Sequence, residues 1–284
     1  MAGLSGARYA ESTSPTGAAP LLDVRGVSKR FTGKRGRSLL ALDDISLRVL
    51  PGEFVALVGP SGCGKSTLLS IIAGLEDATS GEIALHGDAQ TPRLGHVGYM
   101  PQRDLLLPWR DALGNAIAGL RVQGISRAEA ETRARALFAD FGLSGFERTY
   151  PAALSGGMRQ RVAFARTALV TRDLMLLDEP FGALDALTRA ALQRWLGQTL
   201  TRMGTTCLLV THDVDEALTL ADRIYALSAR PGRVRMERRV PLPRPRSQTD
   251  LAHPEMAALK AELLGALLDE AASAGGAMWE GDAQ

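Results

Sequence analysis

Nine consecutive residues, Gly59-Pro60-Ser61-Gly62-Cys63-Gly64-Lys65-Ser66-Thr67, restrict the fold of this chain more than any other stretch. They follow an apolar run, Phe54 to Val58, and precede another, Leu68 to Ala73, that continues as a helix. The glycines therefore sit on a strand-to-helix turn. Glycine lets successive backbone amides point into one concavity, which suits the oxygens of a polyphosphate. Lys65 brings a point charge, Ser66 a hydroxyl of the kind that holds Mg²⁺, and the following helix the positive end of its dipole. A Gly-rich turn with an incidental lysine is the bland alternative, and the flanking strand and helix argue against it.

The rest of the chain repeats that local logic. From Leu21 to about Leu227, short apolar runs alternate with longer segments of helical period, which predicts an α/β domain. Strands are expected at Ile45–Val49, Phe54–Val58, Glu82–Leu85, Leu174–Leu177 and Cys207–Thr211. The first and third alternate and predict one wet face, whereas the others are apolar throughout and predict burial on both faces. Between Gln102 and Ser155 the pattern turns helical. Ser126 and Glu129 read as a capping box, followed by Ala130, Ala134, Leu137 and Phe141 on one stripe and Gly142 at the left-handed end.

Charge and cysteine content exclude several classes. The formal net charge of +2 argues against nucleic-acid binding through an overall basic field. Two cysteines, Cys63 and Cys207, build no disulfide framework and no metal-binding spacing. No apolar run has the roughly 18 residues of a membrane span. Residues 1–20 lack the apolar centre of a secretory signal and are expected to be a disordered tail. A cytosolic protein is expected, working at a membrane only through a partner.

Near the end of the chain, Arg230 to Arg246 holds seven Arg, one Glu and four Pro, which predicts a solvated strand and connector rather than a headgroup-binding patch. The stretch from Ser247 holds seven acidic residues and one Lys, so the two segments attract one another weakly. Met256, Leu259, Leu263 and Leu267 predict a last amphipathic helix, with Ser273 to Gln284 frayed.

Two further motifs complete a chemical site. Leu174-Met175-Leu176-Leu177-Asp178-Glu179 is an apolar strand ending in two carboxylates. Opposite a phosphate loop, Asp178 is placed to hold Mg²⁺ and Glu179 to polarise an attacking water. Leu154-Ser155-Gly156-Gly157-Met158-Arg159-Gln160-Arg161 is a Ser-Gly-Gly turn opening a helix, with Met158, Val162, Ala165 and Leu169 on one face. Free amides and a hydroxyl there make a second anion site on the same chain.

The last motif resembles the signature sequence of the ABC-transporter ATPases, and the resemblance extends over about 21–242. It implies an α/β P-loop ATPase core with an N-terminal antiparallel β subdomain and an α-helical subdomain inserted at about 103–165, followed by a C-terminal extension over 243–284. It also implies ATP and Mg²⁺ as cofactors and a head-to-tail homodimer. ATP would be held by Gly59, Pro60, Ser61, Gly62, Cys63, Gly64, Lys65, Ser66 and Thr67, and across the dimer by Ser155, Gly156, Gly157 and Asp185. Gln102 matches the family's sensing glutamine, which reaches metal and water. Ser66, Gln102 and Asp178 form the implied metal set; Glu179, His212 and Gln102 form the catalytic set. Phe31 is either the aromatic that stacks on adenine or a core residue of a first strand.

Within the family, Leu105 to Trp109, Phe181 to Arg189 and Arg230 to Arg233 are similar to importer ATPases of the nitrate/sulfonate/taurine group. The apolar Leu105–Trp109 run is either core packing or a groove for a short helix of a permease. The resemblance implies ATP hydrolysis at the cytoplasmic face of the inner membrane, integral permease subunits, an indirectly associated solute-binding protein and no nucleic acid. Thiamine-precursor or riboflavin importers are the alternative, beside a non-transport ABC ATPase, a regulatory module and an exporter ATPase. No long coiled-coil insertion or tandem cassette is present to favour the non-transport class, and Glu179 with His212 argues against a module that scarcely hydrolyses.

Overall fold

The computed structural model describes residues 19–33, 38–171, 173–182 and 184–277, with side chains through 270. Most of the predicted N-terminal tail and the last residues of the predicted frayed end lie outside the described residues. The strands, in chain order, are β1 (Leu22–Thr32), β2 (Ser38–Val49), β3 (Phe54–Val58), β4 (Ser80–Leu85), β5 (Val97–Met100), β6 (Leu174–Asp178), β7 (Thr206–Thr211), β8 (Arg223–Leu227) and β9 (Val234–Arg239). The helices are α1 (Lys65–Ile72), α2 (Ala112–Ala116), α3 (Ala118–Val122), α4 (Arg127–Asp140), α5 (Gly156–Val170), α6 (Ala186–Met203), α7 (Val214–Leu220) and α8 (Pro254–Ala277).

A sheet of order β5-β6-β7-β3-β8-β9 forms the centre, parallel except for β9, which pairs antiparallel with β8. Strands β3, β6 and β7 are buried at every residue, as their unbroken apolar runs predict. Successive residues face opposite sides. Val55, Leu57, Leu176, Leu208 and Val210 meet α1 and the antiparallel sheet β2-β1-β4 on one face. Phe54, Ala56, Met175, Leu177, Cys207 and Leu209 meet the helices on the other face, α8 included.

Two local expectations are corrected. Ile45, Leu47 and Val49 alternate with exposed neighbours, but in β4 Ile83, Ala84 and Leu85 are buried in succession. Ala84 pairs with buried Asp23, over which Arg25 and Arg48 lie in ion pairs, so the second face is dry as well. In α4, Ser126 caps the helix by accepting from the Glu129 amide, whereas the Glu129 carboxylate is taken by Arg133 one turn on. The α4 stripe runs Ala130, Ala134, Phe138, with Leu137 only half-buried.

In α8, Met256, Leu259 and Leu263 are buried, and the backbone stays helical to Ala277. The basic and acidic segments do pair, through Arg238 with Glu262 and Arg235 with Glu270.

Candidate functional site

The loop between β3 and α1 lies at the carboxyl end of the parallel strands. Gly62 and Gly64 have φ of +76° and +107°, which a side chain would strain. A Cβ on Gly64 would also lie 2.7 Å from Leu42 Cδ2 and 2.9 Å from the Ala41 carbonyl. Helix α1 starts on Gly64 with no capping side chain and no acidic residue in its first turn, so its open amides face an anion without competition.

Lys65 is 5% exposed, and its Nζ donates to the carbonyls of Gly59 (2.8 Å) and Pro60 (2.9 Å). Burial pushes the Cys63 thiol up, against the opposing pull of Lys65, and Cys63 is walled in by the loop.

Ser66 Oγ donates to Asp178 Oδ1 at 3.0 Å, bringing the start of α1 to the end of β6. Tyr99, on β5, donates to the other oxygen, Oδ2, at 3.4 Å. Burial pushes the Asp178 carboxyl above its ordinary range, opposed by the Ser66 hydrogen bond and reinforced by Glu179. A hydroxyl and a carboxylate side by side are hard oxygen donors that suit Mg²⁺, which needs only one or two protein oxygens beside substrate phosphates and water. Among the described residues no cluster of three His, Cys, Asp or Glu builds an all-protein metal cage.

Glu179 follows the strand in a left-handed conformation, φ +44°, that turns its side chain out of the sheet register. Its Oε2 accepts from Gln102 Nε2 and lies by His212 Nδ1, each at 3.2 Å. Three residues distant in sequence thus meet at one oxygen. Phe31, Leu39, Ala41, Ser61, Gly62, Gly64, Lys65, Ser66, Thr67, Gln102, Glu179 and Arg230 line one cavity of about 330 Å³. Phe31 is 38% exposed at its wall, which removes the core-residue account of that side chain. His212 instead lines a second cavity with Gly59, Pro60 and residues of α8.

Ser155, Gly156, Gly157 and Asp185 do not join these cavities. Ser155 caps α5 by accepting from the Met158 amide, and Asp185 caps α6 by accepting from Thr188. Gly156 lies against Leu184 and Gly157 against Thr188, so the two caps form one patch. Both Ser155 and Asp185 are exposed there.

Sequence reasoning missed several contributors. Asp213 caps α7 by accepting from the amides of Asp215 and Glu216, and the Asp-x-x-Glu spacing after His212 carried that signal. Glu216 is buried, accepts from Thr211 Oγ1 at 3.0 Å, and burial pushes its carboxyl up to about 8. Tyr99 left no local signal, because only the β5–β6 pairing brings it to Asp178.

The fold is that of a P-loop ATPase core. The ABC transporter family profile matches residues 42–182. The chain is 46% identical over 249 residues to the aliphatic sulfonates import ATP-binding protein SsuB 1 of Rhodococcus jostii, covering 88% of this chain and 96% of that one. It is 42% identical over 231 residues to the formylaminopyrimidine import ATP-binding protein ThiZ of Halalkalibacterium halodurans, covering 81% and 90%. The dimeric structure of MJ0796, a bacterial ABC transporter cassette, matches with a TM-score of 0.67 at 31% identity, over 77% of this chain and 98% of that one. Its post-hydrolysis state bound to ADP and Pi matches at 0.66. This chain belongs to the ATP-binding proteins of the ABC transporter family.

Proposed function

We propose that this chain is the ATP-hydrolysing subunit of an ABC importer of the nitrate/sulfonate/taurine type, working as a homodimer on the cytoplasmic face of the membrane. The observation that carries the reading is the split of the predicted site. Lys65, Ser66, Gln102 and Glu179 line one cavity with Asp178 buried behind Ser66, while Ser155, Gly156, Gly157 and Asp185 form a separate patch on which Ser155 and Asp185 are exposed. Two half-sites on one chain complete each other only between two copies placed head to tail. The dimeric cassette relatives support that arrangement.

In this reading the loop amides and Lys65 hold the triphosphate, and Phe31 stacks on adenine. Ser66, Asp178 and Gln102 would hold Mg²⁺, which would supply charge neutralisation for the phosphates. Glu179 orients or deprotonates the attacking water. His212 and Lys65 stabilise charge that develops on the γ-phosphate. Gln102 and His212 both engage Glu179 here, so a change at the nucleotide has a direct route to each. Differential binding of ATP and ADP by the closed and open dimer drives transport.

Coupling to permease subunits is assigned to the surface around Trp109. Leu105 and Trp109 are 58% and 70% exposed, which favours the groove over core packing, and only Leu106 of that run packs on the core. Trp109 borders a cavity of about 530 Å³ with Arg110, Asp111 and Tyr150. Among the described residues no helix is long and apolar enough to cross a membrane, and in this reading permease subunits supply the path. Sulfonate-type solutes, delivered by a solute-binding protein, are favoured by the sulfonate-import relative; the formylaminopyrimidine-import relative supports a thiamine-precursor solute as the second reading.

The test is recovery of tagged Glu179→Gln protein from native membranes in mild detergent with ATP, followed by mass spectrometry. A co-purifying multi-span permease is expected. Recovery of soluble or nucleic-acid partners alone, from an intact dimer, would overturn the importer reading.

A further inference from the structure

The turn after β8, Ser228 to Arg233, has no role in the chemistry above, yet it is packed against the phosphate loop. Arg230 donates to the Gly62 carbonyl from both Nε (2.9 Å) and Nη2 (2.7 Å). Two residues later the backbone presses on the next carbonyl: a Cβ on Gly232 would lie 2.3 Å from Cys63 O. No side chain fits there. The turn is itself held from two elements. The Gly232 amide donates to Ala41 O and its carbonyl accepts from the Asp43 amide, both at 2.9 Å, and Arg233 Nε reaches Asp43 at 2.9 Å. From α8, Glu270 Oε2 accepts the Ala229 amide at 3.2 Å.

We propose that Arg230 is a positioning residue for nucleotide binding, a guanidinium brace that holds Gly62 and Cys63 so that the phosphate cradle is formed before nucleotide arrives. This rests on the reading of the loop as that cradle. A loop whose amides converge on an anion leaves its carbonyl dipoles to be held from elsewhere, and Arg230, at the rim of the same cavity, holds the Gly62 carbonyl. Lys65 serves the Gly59 and Pro60 carbonyls in this structure and must leave them to serve a phosphate. Arg230 need not move. A loop already ordered spares the ligand the entropy of ordering it, which appears as affinity and not as a faster chemical step. The planar fork explains why arginine stands here, since a lysine ammonium does not place two parallel donors on one oxygen.

The test compares full-length wild type, Arg230→Ala, Arg230→Lys and Lys65→Ala. ATP affinity is read by calorimetry, kcat and KM by phosphate release, and loop order by hydrogen exchange of amides 61–66 in nucleotide-free protein. For Arg230→Ala the expected result is a dissociation constant and KM raised about fivefold with kcat within about twofold. Its loop amides should exchange faster before any nucleotide is added, and Arg230→Lys should recover only part of both effects. Unchanged affinity and loop exchange in Arg230→Ala, with binding lost in Lys65→Ala, would overturn the brace and leave the cradle standing. Weaker binding with unchanged loop exchange would also overturn it, because the guanidinium would then touch nucleotide rather than hold the loop. Normal ATP binding by Lys65→Ala would remove the cradle reading and the brace with it.

Discussion

His212 Nδ1 stands 3.2 Å from Glu179 Oε2, across the gap between the end of β7 and the end of β6. The imidazole is half-exposed and the carboxylate largely covered, so the pair has one side open to a substrate. The Glu179 amide donates to Val210 O at 2.9 Å, which locks the two strand ends together behind the side chains. The proposed base for water, Glu179, and the group proposed to meet developing phosphate charge, His212, are thus set in one rigid frame.

Replacing Glu179 by Gln keeps the shape and the Gln102 neighbour but removes the carboxylate proposed as the base. ATP hydrolysis should fall by about 10²-fold or more, while ATP binding persists and the dimer becomes long-lived. Phosphate release and size-exclusion chromatography with ATP check this. Turnover near wild type would remove Glu179 from the mechanism.

Lys65→Ala deletes a cation that now rests on two loop carbonyls. ATP binding at micromolar nucleotide should disappear, and the melting temperature should fall modestly, because the buried Gly59 carbonyl loses its donor. Calorimetric titration decides it; unchanged affinity would refute the cradle.

Gly156→Asp sets a carboxylate on the exposed cap of α5. The first added carbon meets Leu184 at 3.3 Å, a contact that a small side-chain shift relieves, so the monomer should fold. ATP-driven dimerisation should fail by charge repulsion against the γ-phosphate of the partner copy. Light scattering on the Glu179→Gln background reads this out, and a surviving dimer would disprove the composite site.

Glu216 supplies a pH signature. Burial raises its carboxyl to about 8, with Asp213 and Glu179 acting in the same direction and the Thr211 hydrogen bond and Arg189 opposing. The folded state therefore holds a proton that the unfolded chain loses near pH 4.5. The stability this proton linkage contributes is full below pH 4.5 and declines until pH reaches about 8. The loss is on the order of a few kcal/mol. Glu216→Gln, which cannot ionise, should gain melting temperature relative to wild type as pH rises from 5 to 8. A difference that stays constant with pH would show that Glu216 ionises normally.

Much of this is legible in the sequence. The phosphate loop, the Asp178-Glu179 strand end and the Ser155 cap depend on residues within one turn or strand, where backbone sterics and local hydrogen bonds decide the conformation. The alternation in β2 and the unbroken burial of β3, β6 and β7 likewise follow from which neighbours are apolar. Local logic failed where a distant chain segment covered a surface. Ala84 is dry because Arg25 and Arg48 fold over Asp23, and Phe138 displaces Leu137 on the α4 stripe because the packing of the neighbouring helices sets how α4 is rotated.

Sequence by itself determined the kinds of groups available: a glycine loop with Lys65 and Ser66, an acidic strand end, a glutamine, a histidine and a capped second turn. Tertiary structure alone decided their meeting. Gln102 and His212 reach the same oxygen of Glu179 only because parallel pairing of β5, β6 and β7 brings their strand ends to one edge. Tyr99 finds Asp178, and Arg230 finds Gly62, through register and packing over separations that local sequence rules do not see. The reason is physical: a short-range pattern specifies which face is apolar, but the position of a side chain across a sheet is set by hydrogen-bond register and close packing of the whole core.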